Sequence, residues 1–234
     1  RRLAAPCKGV SVNMSEIEKP KRTADRITRS RKEGANKQGK AEATEARYSR
    51  LVAFQKAVGI RRAELSRLSA TDLTTDESGY LCVYVAKGKG GKRQLQRLLP
   101  EDEGTVLEIF QNADPGQKLF SKEEMQNKID LHGLRREHAQ RAYKYYADRL
   151  KNELEYKYEL RKELAARYKE FHRPGDSNKR FLHDIMNEEP YKLRGNNYQK
   201  AIEQGKETEY NRLALMAVSV FYSNKLYDIN FNIH

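Results

Sequence analysis

The hydrophobic positions of the chain follow changing periodicities, and the first regular pattern begins near Ala43. Apolar side chains there recur at steps of three and four residues, which is typical of one face of an α-helix. They are Leu51, Phe54 and Val58. Gly59 follows directly and predicts a left-handed helix cap. A second helix, with Leu65 and Leu68 on one face, is predicted after it.

Residues 80–86 change to a strand-like composition, rich in valine and tyrosine, and a second strand-like run covers residues 95–99. A glycine-rich turn at residues 87–91 separates the two runs, and Pro100 closes the second one. Two strands about such a turn predict an antiparallel β-hairpin.

Helical patterns return after Pro100. Helices are predicted around residues 106–110, after a capping box formed by Ser121 and Glu124, and over residues 132–150. The charged segment at residues 151–170 is interpreted as a long solvated helix, which the Arg-Pro-Gly-Asp sequence at 173–176 ends. A shorter helix, a loop rich in Asn, Gly and Lys, and a last helix follow. The fold class predicted is mainly α with a small antiparallel β-sheet (α+β).

Composition adds an expected partner. The chain of 234 residues has a formal net charge of +13, and a domain this basic usually binds a polyanion. The alternative is a soluble protein that is merely rich in lysine. Residues 1–50 carry +8 of this charge, and between Lys21 and Lys40 the only large apolar residue is Ile27. We therefore expect a flexible basic arm at residues 1–42, ordered by DNA phosphates or simply solvated, and a folded domain at residues 43–234.

The cysteines and the apolar runs limit the cellular compartments in which the protein is expected. Cys7 and Cys82 are too few for a zinc cluster or a disulfide framework, and they suit a reducing interior. No apolar run approaches the length of a membrane span. The segment at the start of the chain is too short and too polar for a secretory signal. The first residue is not Met, so the sequence is expected to be a fragment.

Four basic side chains are candidates for chemistry. Arg61 opens a helix after Gly59, and Glu64 lies one turn later, where it can hold the guanidinium; the alternative is an ordinary surface ion pair. Lys89 lies at the tip of the predicted hairpin. His132 and Arg135 lie three positions apart. On a helix both side chains would therefore point from one face toward one spot.

The order of these residues resembles the tyrosine recombinase (phage integrase) family from about Ala43 to the C-terminus. Gly59-Ile60-Arg61 with Glu64 is similar to the first arginine box of that family, and residues 88–92, around Lys89, to its lysine hairpin. His132-Gly133-Leu134-Arg135 is similar to its second arginine box. The particular residues of these boxes are similar to those in integrases of mobile elements in Firmicutes. The implied fold is that of a tyrosine recombinase catalytic domain.

The resemblance implies site-specific recombination of double-stranded DNA, for integration or excision of a mobile element, by a homotetramer on paired sites in the bacterial cytoplasm at the nucleoid. Arg61 and Arg135 would bind the phosphate, Lys89 would protonate the leaving 5′ oxygen, and His132 would manage the proton of the attacking group. A tyrosine would form a covalent 3′-phosphotyrosine. No cofactor or metal is implied.

The last box of the family is altered here. Ser223 or Asn224 occupies the position of its usual histidine, and no tyrosine follows at the usual spacing. Three interpretations remain: the chain ends before its nucleophile, Tyr227 serves as the nucleophile, or the protein binds DNA without cutting. Tyr222 is a weaker candidate. Rival functions are a non-catalytic DNA-binding remnant and a basic RNA-binding or interaction protein. We assign ordinary structural or surface roles to His138, His172 and His183.

Overall fold

The computed structural model describes residues 42–88, 93–126, 129–171 and 179–222. Its helices are α1 Ser49–Val58, α2 Arg62–Leu65, α3 Glu103–Gln111, α4 Lys122–Met125, α5 Leu131–Asn152, α6 Tyr156–Phe171, α7 Lys179–Met186, α8 Gly195–Glu203 and α9 Arg212–Tyr222. Residues 42–47 are also helical and precede α1. The predicted arm up to residue 41, Lys89, the break at residues 173–176, His172 and Tyr227 lie outside the described residues.

A small antiparallel sheet consists of β1 Leu73–Thr75, β2 Leu81–Val85 and β3 Gln94–Arg97, in that order. The predicted hairpin is confirmed, because β2 and β3 pair with Cys82 opposite Arg97 and Val85 opposite Gln94. Strand β1 was not predicted. It is a short, largely exposed Leu-Thr-Thr segment with no long apolar alternation. A second, two-stranded sheet pairs β4 Tyr191–Lys192 with β5 Glu209–Tyr210.

The first of two hydrophobic cores lies between α1, the sheet, α3 and the start of α5. The apolar face predicted for α1 is buried, with Leu51, Phe54 and Val58 fully shielded from solvent. Phe54 contacts the rings of Phe110 and Phe120. Burial of such side chains contributes about 1.5–3 kcal/mol each, so this core fixes the direction in which α1 ends.

The second core is formed by the later part of α5 with α6, α7 and α9. The interpretation of residues 151–170 as a solvated helix is wrong. The apolar side chains of α6 recur every four residues and form one buried stripe between charged faces. They are Tyr156, Leu160, Leu164 and Tyr168. The expected loop after α7 is also partly wrong, since Gly195–Glu203 forms α8. In α9 every residue from Leu213 to Tyr222 is buried.

The fold class is confirmed: the described part of the chain is mainly helical with a small antiparallel sheet. Helix α5 joins the two cores, because its first residues, Leu131 and Leu134, belong to the first, whereas Ala142 and Tyr146 belong to the second. Among the described helices, none is both long enough and apolar enough to cross a membrane.

Candidate phosphate-binding site

The turn after α1 positions the first candidate residue. Gly59 has φ 65°, in the left-handed region that glycine adopts at low cost, and its N–H donates to the carbonyl of Gln55 over 2.9 Å. The chain then turns into α2, with Arg61 at its N-cap. The backbone N–H of Arg61 donates to Oε2 of Glu64 over 2.9 Å. The predicted cap at Gly59 is confirmed, and it brings Arg61 to the start of a new helix.

Glu64 also orients the side chain of Arg61. The Nη1 atom of Arg61 lies 2.7 Å from Oε1 of Glu64, whose side chain is only 3% exposed, whereas that of Arg61 is 29% exposed. The buried carboxylate of Glu64 accepts one backbone N–H and one guanidinium N–H. It therefore fixes the guanidinium far better than a partner at the surface would. Glu64 therefore holds the guanidinium of Arg61 while the side chain stays partly exposed to solvent.

The second pair of candidates lies on the first turns of α5. The carboxylate of Asp130 caps this helix by accepting the N–H of Gly133 over 2.9 Å. His132 is exposed, and Arg135, one turn later, is half-buried. Residues three apart lie on the same side of a helix, so His132 stands at the solvent edge above Arg135.

Two backbone carbonyls hold Arg135. Its Nη1 donates to the carbonyl oxygen of Gly59 over 2.6 Å, and its Nη2 donates to that of Tyr222 over 3.2 Å. The Tyr222 carbonyl is in the last turn of α9, where the helix dipole favours a cation. A guanidinium has five N–H groups, so these two bonds leave donor capacity for a ligand.

Arg61 and Arg135 form one cationic site, which we call the arginine pair. Burial and the positive charge of Arg61 together lower the pKa of Arg135 to about 10, whereas Glu64 acts in the opposite direction. The Gly59 carbonyl that binds Arg135 lies two residues before Arg61, so one turn holds both side chains near each other. Two guanidinium groups held at one turn repel each other, and a bound anion would remove that repulsion.

Tyr222 contributes its backbone rather than its hydroxyl. The side chain is 3% exposed and lies against Tyr146, with ring centroids 6.3 Å apart. Burial and the neighbouring Tyr146 raise the pKa of Tyr222 well above its ordinary value. A buried phenol of raised pKa is a poor nucleophile, because the charged form that attacks is disfavoured.

The structure therefore brings together two of the predicted site residues, Arg61 and Arg135, with His132 one turn away. Lys89 and Tyr227 fall outside the described residues, although the structure describes β2 and β3, the paired strands that flank Lys89. Sequence reasoning missed the carbonyls of Gly59 and Tyr222. Every residue carries a carbonyl, so no residue type could have indicated them.

Within the described ranges, no group of three or more His, Cys, Asp or Glu side chains could hold a metal ion. Comparisons with protein-family models, curated proteins and solved structures return no significant match to this chain. The functional assignment therefore depends on the geometry of the site and on the order of its residues.

Proposed function

We propose that this chain is the catalytic part of a tyrosine-type site-specific DNA recombinase. The observation that carries the proposal is the arginine pair: Arg61 and Arg135 come from distant parts of the sequence and share the Gly59 turn. His132 lies beside them on the solvent side. Fixed donors of this kind can stabilise the charge that develops on phosphate oxygens during phosphodiester transfer, which supports the proposal.

In the proposed reaction, a tyrosine oxygen attacks the scissile phosphorus of DNA and the bond to the 5′ oxygen breaks. Arg61 and Arg135 donate to the two non-bridging oxygens and stabilise the charge that accumulates there. In this proposal His132 accepts the proton of the attacking hydroxyl, and Lys89 gives a proton to the departing 5′ oxygen. The reverse attack by a 5′ hydroxyl of another strand rejoins the DNA and releases the tyrosine.

The charge of the chain supports double-stranded DNA as the substrate. The net charge is +13, and residues 1–50 carry a large part of it. Such a protein gains affinity for a duplex by releasing the cations condensed on the phosphates. A pair of recombination sites held by four copies of the chain is the assembly that the proposed reaction uses.

A second candidate function is DNA binding without cleavage. It is favoured by the burial of the Tyr222 hydroxyl, because Tyr222 is the tyrosine whose backbone contacts Arg135. If Tyr227 does not act as the nucleophile, the arginine pair would bind a DNA phosphate and the reaction would stop there. This candidate predicts binding that weakens steeply with salt, and no covalent product.

The test is a nicked duplex taken from the DNA that flanks the coding sequence of this protein. A tyrosine that attacks beside the nick releases a short fragment and becomes trapped on the DNA, so that a covalent adduct survives denaturation. Mass spectrometry of the adduct identifies the residue. We expect attachment at Tyr227 and loss of that adduct in Tyr227→Phe.

Arg135→Ala and Arg136→Ala form a matched pair, because Arg136 is the exposed neighbour on the same helix. We expect Arg135→Ala to lower the cleavage rate by about 100-fold or more, since removal of one preorganised donor costs that much. Arg136→Ala should leave the rate nearly unchanged. Equal rates in the two variants would refute the assigned role of Arg135. Salt-sensitive binding with no adduct in any variant would favour the second candidate.

A further inference from the structure

His138, one helical turn after Arg135, is an unusual buried histidine. Its side chain is 1% exposed, and its Nδ1 atom lies 2.9 Å from the carbonyl oxygen of Lys56. Because a carbonyl oxygen only accepts, Nδ1 carries the proton and Nε2 has a lone pair. Nε2 is buried without a hydrogen-bond partner in the described part of the chain. Burial, followed by the positive charge of Arg141, lowers the pKa of His138 to about 3, so the ring is neutral.

The ring of His138 packs against the backbone of Gly59. A Cβ atom added to Gly59 would lie 2.6 Å from Cδ2 of His138, which is closer than real Cβ contacts come. The ring thus occupies the space where a side chain at Gly59 would begin. The carbonyl of that same glycine accepts a hydrogen bond from Arg135. The position of the His138 ring therefore limits where the Gly59 peptide, and with it one anchor of Arg135, can lie.

The second anchor of Arg135 contacts the same ring. His138 and Tyr222 meet edge to face, with ring centroids 5.0 Å apart and planes at 65°. The carbonyl of Tyr222 is the other acceptor for Arg135. Val58 and Ile60, which flank Gly59, belong to the first core, whereas Tyr222 belongs to the second. The His138 ring touches both Gly59 and Tyr222 and so contacts the two anchors of Arg135 at once.

We propose that His138 is a positioning residue for the arginine pair: its ring spaces the carbonyls of Gly59 and Tyr222 so that Arg135 faces the phosphate. His138 itself does not contact the substrate. This inference rests on the proposed function, because the site that His138 orients is the phosphate site assigned there. It differs from the role of an ordinary core histidine, which would affect stability but not the phosphate affinity of the folded protein.

Two substitutions separate the ring from its hydrogen bond. His138→Asn keeps a donor at the position of Nδ1 but lacks the ring atoms that touch Gly59 and Tyr222. His138→Phe keeps a ring and lacks the donor. The carbonyl of Lys56 retains a hydrogen bond in the Phe variant, because Nη2 of Arg141 also donates to it, over 2.7 Å. His138→Leu fills the buried space without a ring and replaces the Asn variant if that variant does not fold.

The experiment is a titration of the full chain with inorganic phosphate, followed by NMR at the Nε–H signal of Arg61. Circular dichroism confirms that each variant is folded. We expect the Kd for phosphate to rise about tenfold or more in His138→Asn and to stay within about threefold in His138→Phe, because small displacements of a binding group have large effects. If His138 acts through Arg135, the double variant His138→Asn/Arg135→Gln binds phosphate no more weakly than Arg135→Gln alone.

The inference is overturned if folded His138→Asn binds phosphate as the wild type does, or if the effects of His138→Asn and Arg135→Gln add. Failure of the proposed function gives another result: neither Arg61→Gln nor Arg135→Gln changes the phosphate affinity. In that case the Nη signals of Arg135 decide, since a guanidinium held by two carbonyls rotates slowly and shows separate signals. Merging of these signals in His138→Asn supports positioning, and unchanged signals refute it.

Discussion

Asp76 lies at the centre of a buried charge network. The substitution Asp76→Asn removes the negative charge of that network and changes little else. The Oδ1 atom accepts the backbone N–H groups of Ser78 and Tyr80, each over 3.0 Å. The Oδ2 atom accepts Nε and Nη2 of Arg97 over 3.0 and 2.6 Å, and Nη2 of Arg167 over 3.3 Å. Asparagine can keep the turn bonds through its own oxygen. It would then direct an NH2 group at two guanidinium groups that only donate.

The expected cost follows from burial. The side chains of Asp76, Arg97 and Arg167 are 3%, 3% and 7% exposed. Removal of one partner from a buried pair leaves an uncompensated charge and destabilises a protein by about 3–5 kcal/mol. Arg97 keeps a second partner, because its Nη1 lies 2.7 Å from Oε2 of Glu163. We therefore expect a loss near the lower end, about 3 kcal/mol.

Urea unfolding followed by circular dichroism measures this loss as a change of midpoint at constant slope. Glu209→Gln is the control, because Glu209 pairs with Lys192 at the surface, where both side chains are at least half exposed. That control should lose less than about 1 kcal/mol. A loss below about 1 kcal/mol in Asp76→Asn would refute the account, since it would mean that the two arginines do not depend on the carboxylate charge.

Three further predictions concern the site and its surroundings. Gly59→Ala should destabilise the fold by about 2–4 kcal/mol in urea unfolding, through positive φ and overlap with His138, and His138→Ala should relieve part of that loss. Acid should destabilise the protein below pH 6.5, because the unfolded chain takes up the proton of His138 before the folded chain, whose pKa is about 3, can do so. At pH 5 the additional loss, relative to His138→Asn, should be about 2 kcal/mol in the same assay. Arg67 donates to the carbonyl of Lys87, and Lys118 donates to the carbonyl of Arg67; both side chains are exposed, so the proposed function would make their charges available to DNA. Arg67→Gln and Lys118→Gln should each reduce the salt slope of duplex binding by about one unit, whereas Lys157→Gln, whose partner is Glu188, should not.

The local elements of the site could be predicted because each has a residue-type signal. Gly59 after an apolar helical face indicates a left-handed cap, and the structure has one. The spacing of His132 and Arg135 indicates one face of a helix, and both lie on α5. The hairpin follows from two β-rich runs about glycines. In all three cases the interacting residues belong to one short stretch of the chain, so composition and spacing contain the information.

The long-range contacts could not be predicted in this way. The network at Asp76 joins a turn of the sheet to Arg97 of β3 and Arg167 of α6, and nothing in the spacing of these residues connects them. The buried apolar stripe in α6 was not predicted because charged residues surround its members in the sequence, although Leu160 and Leu164 follow a four-residue step. The packing of His138 against Gly59 and Tyr222 could not be predicted either, because a lone histidine has no local signal for the backbone that packs around it.

The arginine pair lies where the two cores meet, and this makes its geometry sensitive to distant contacts. Arg97 of the charge network stacks on Phe221, with its guanidinium carbon 3.9 Å from the ring centroid. The next residue, Tyr222, supplies a carbonyl to Arg135. A shift of α9 by even a fraction of an ångström therefore changes one anchor of Arg135 and leaves the other, at Gly59, in place. Asp76→Asn should consequently weaken phosphate binding in the fraction of protein that remains folded, whereas a surface variant of equal stability should not. The same NMR titration at Arg61 separates these outcomes, and unchanged affinity in folded Asp76→Asn would show that the two cores set the site independently.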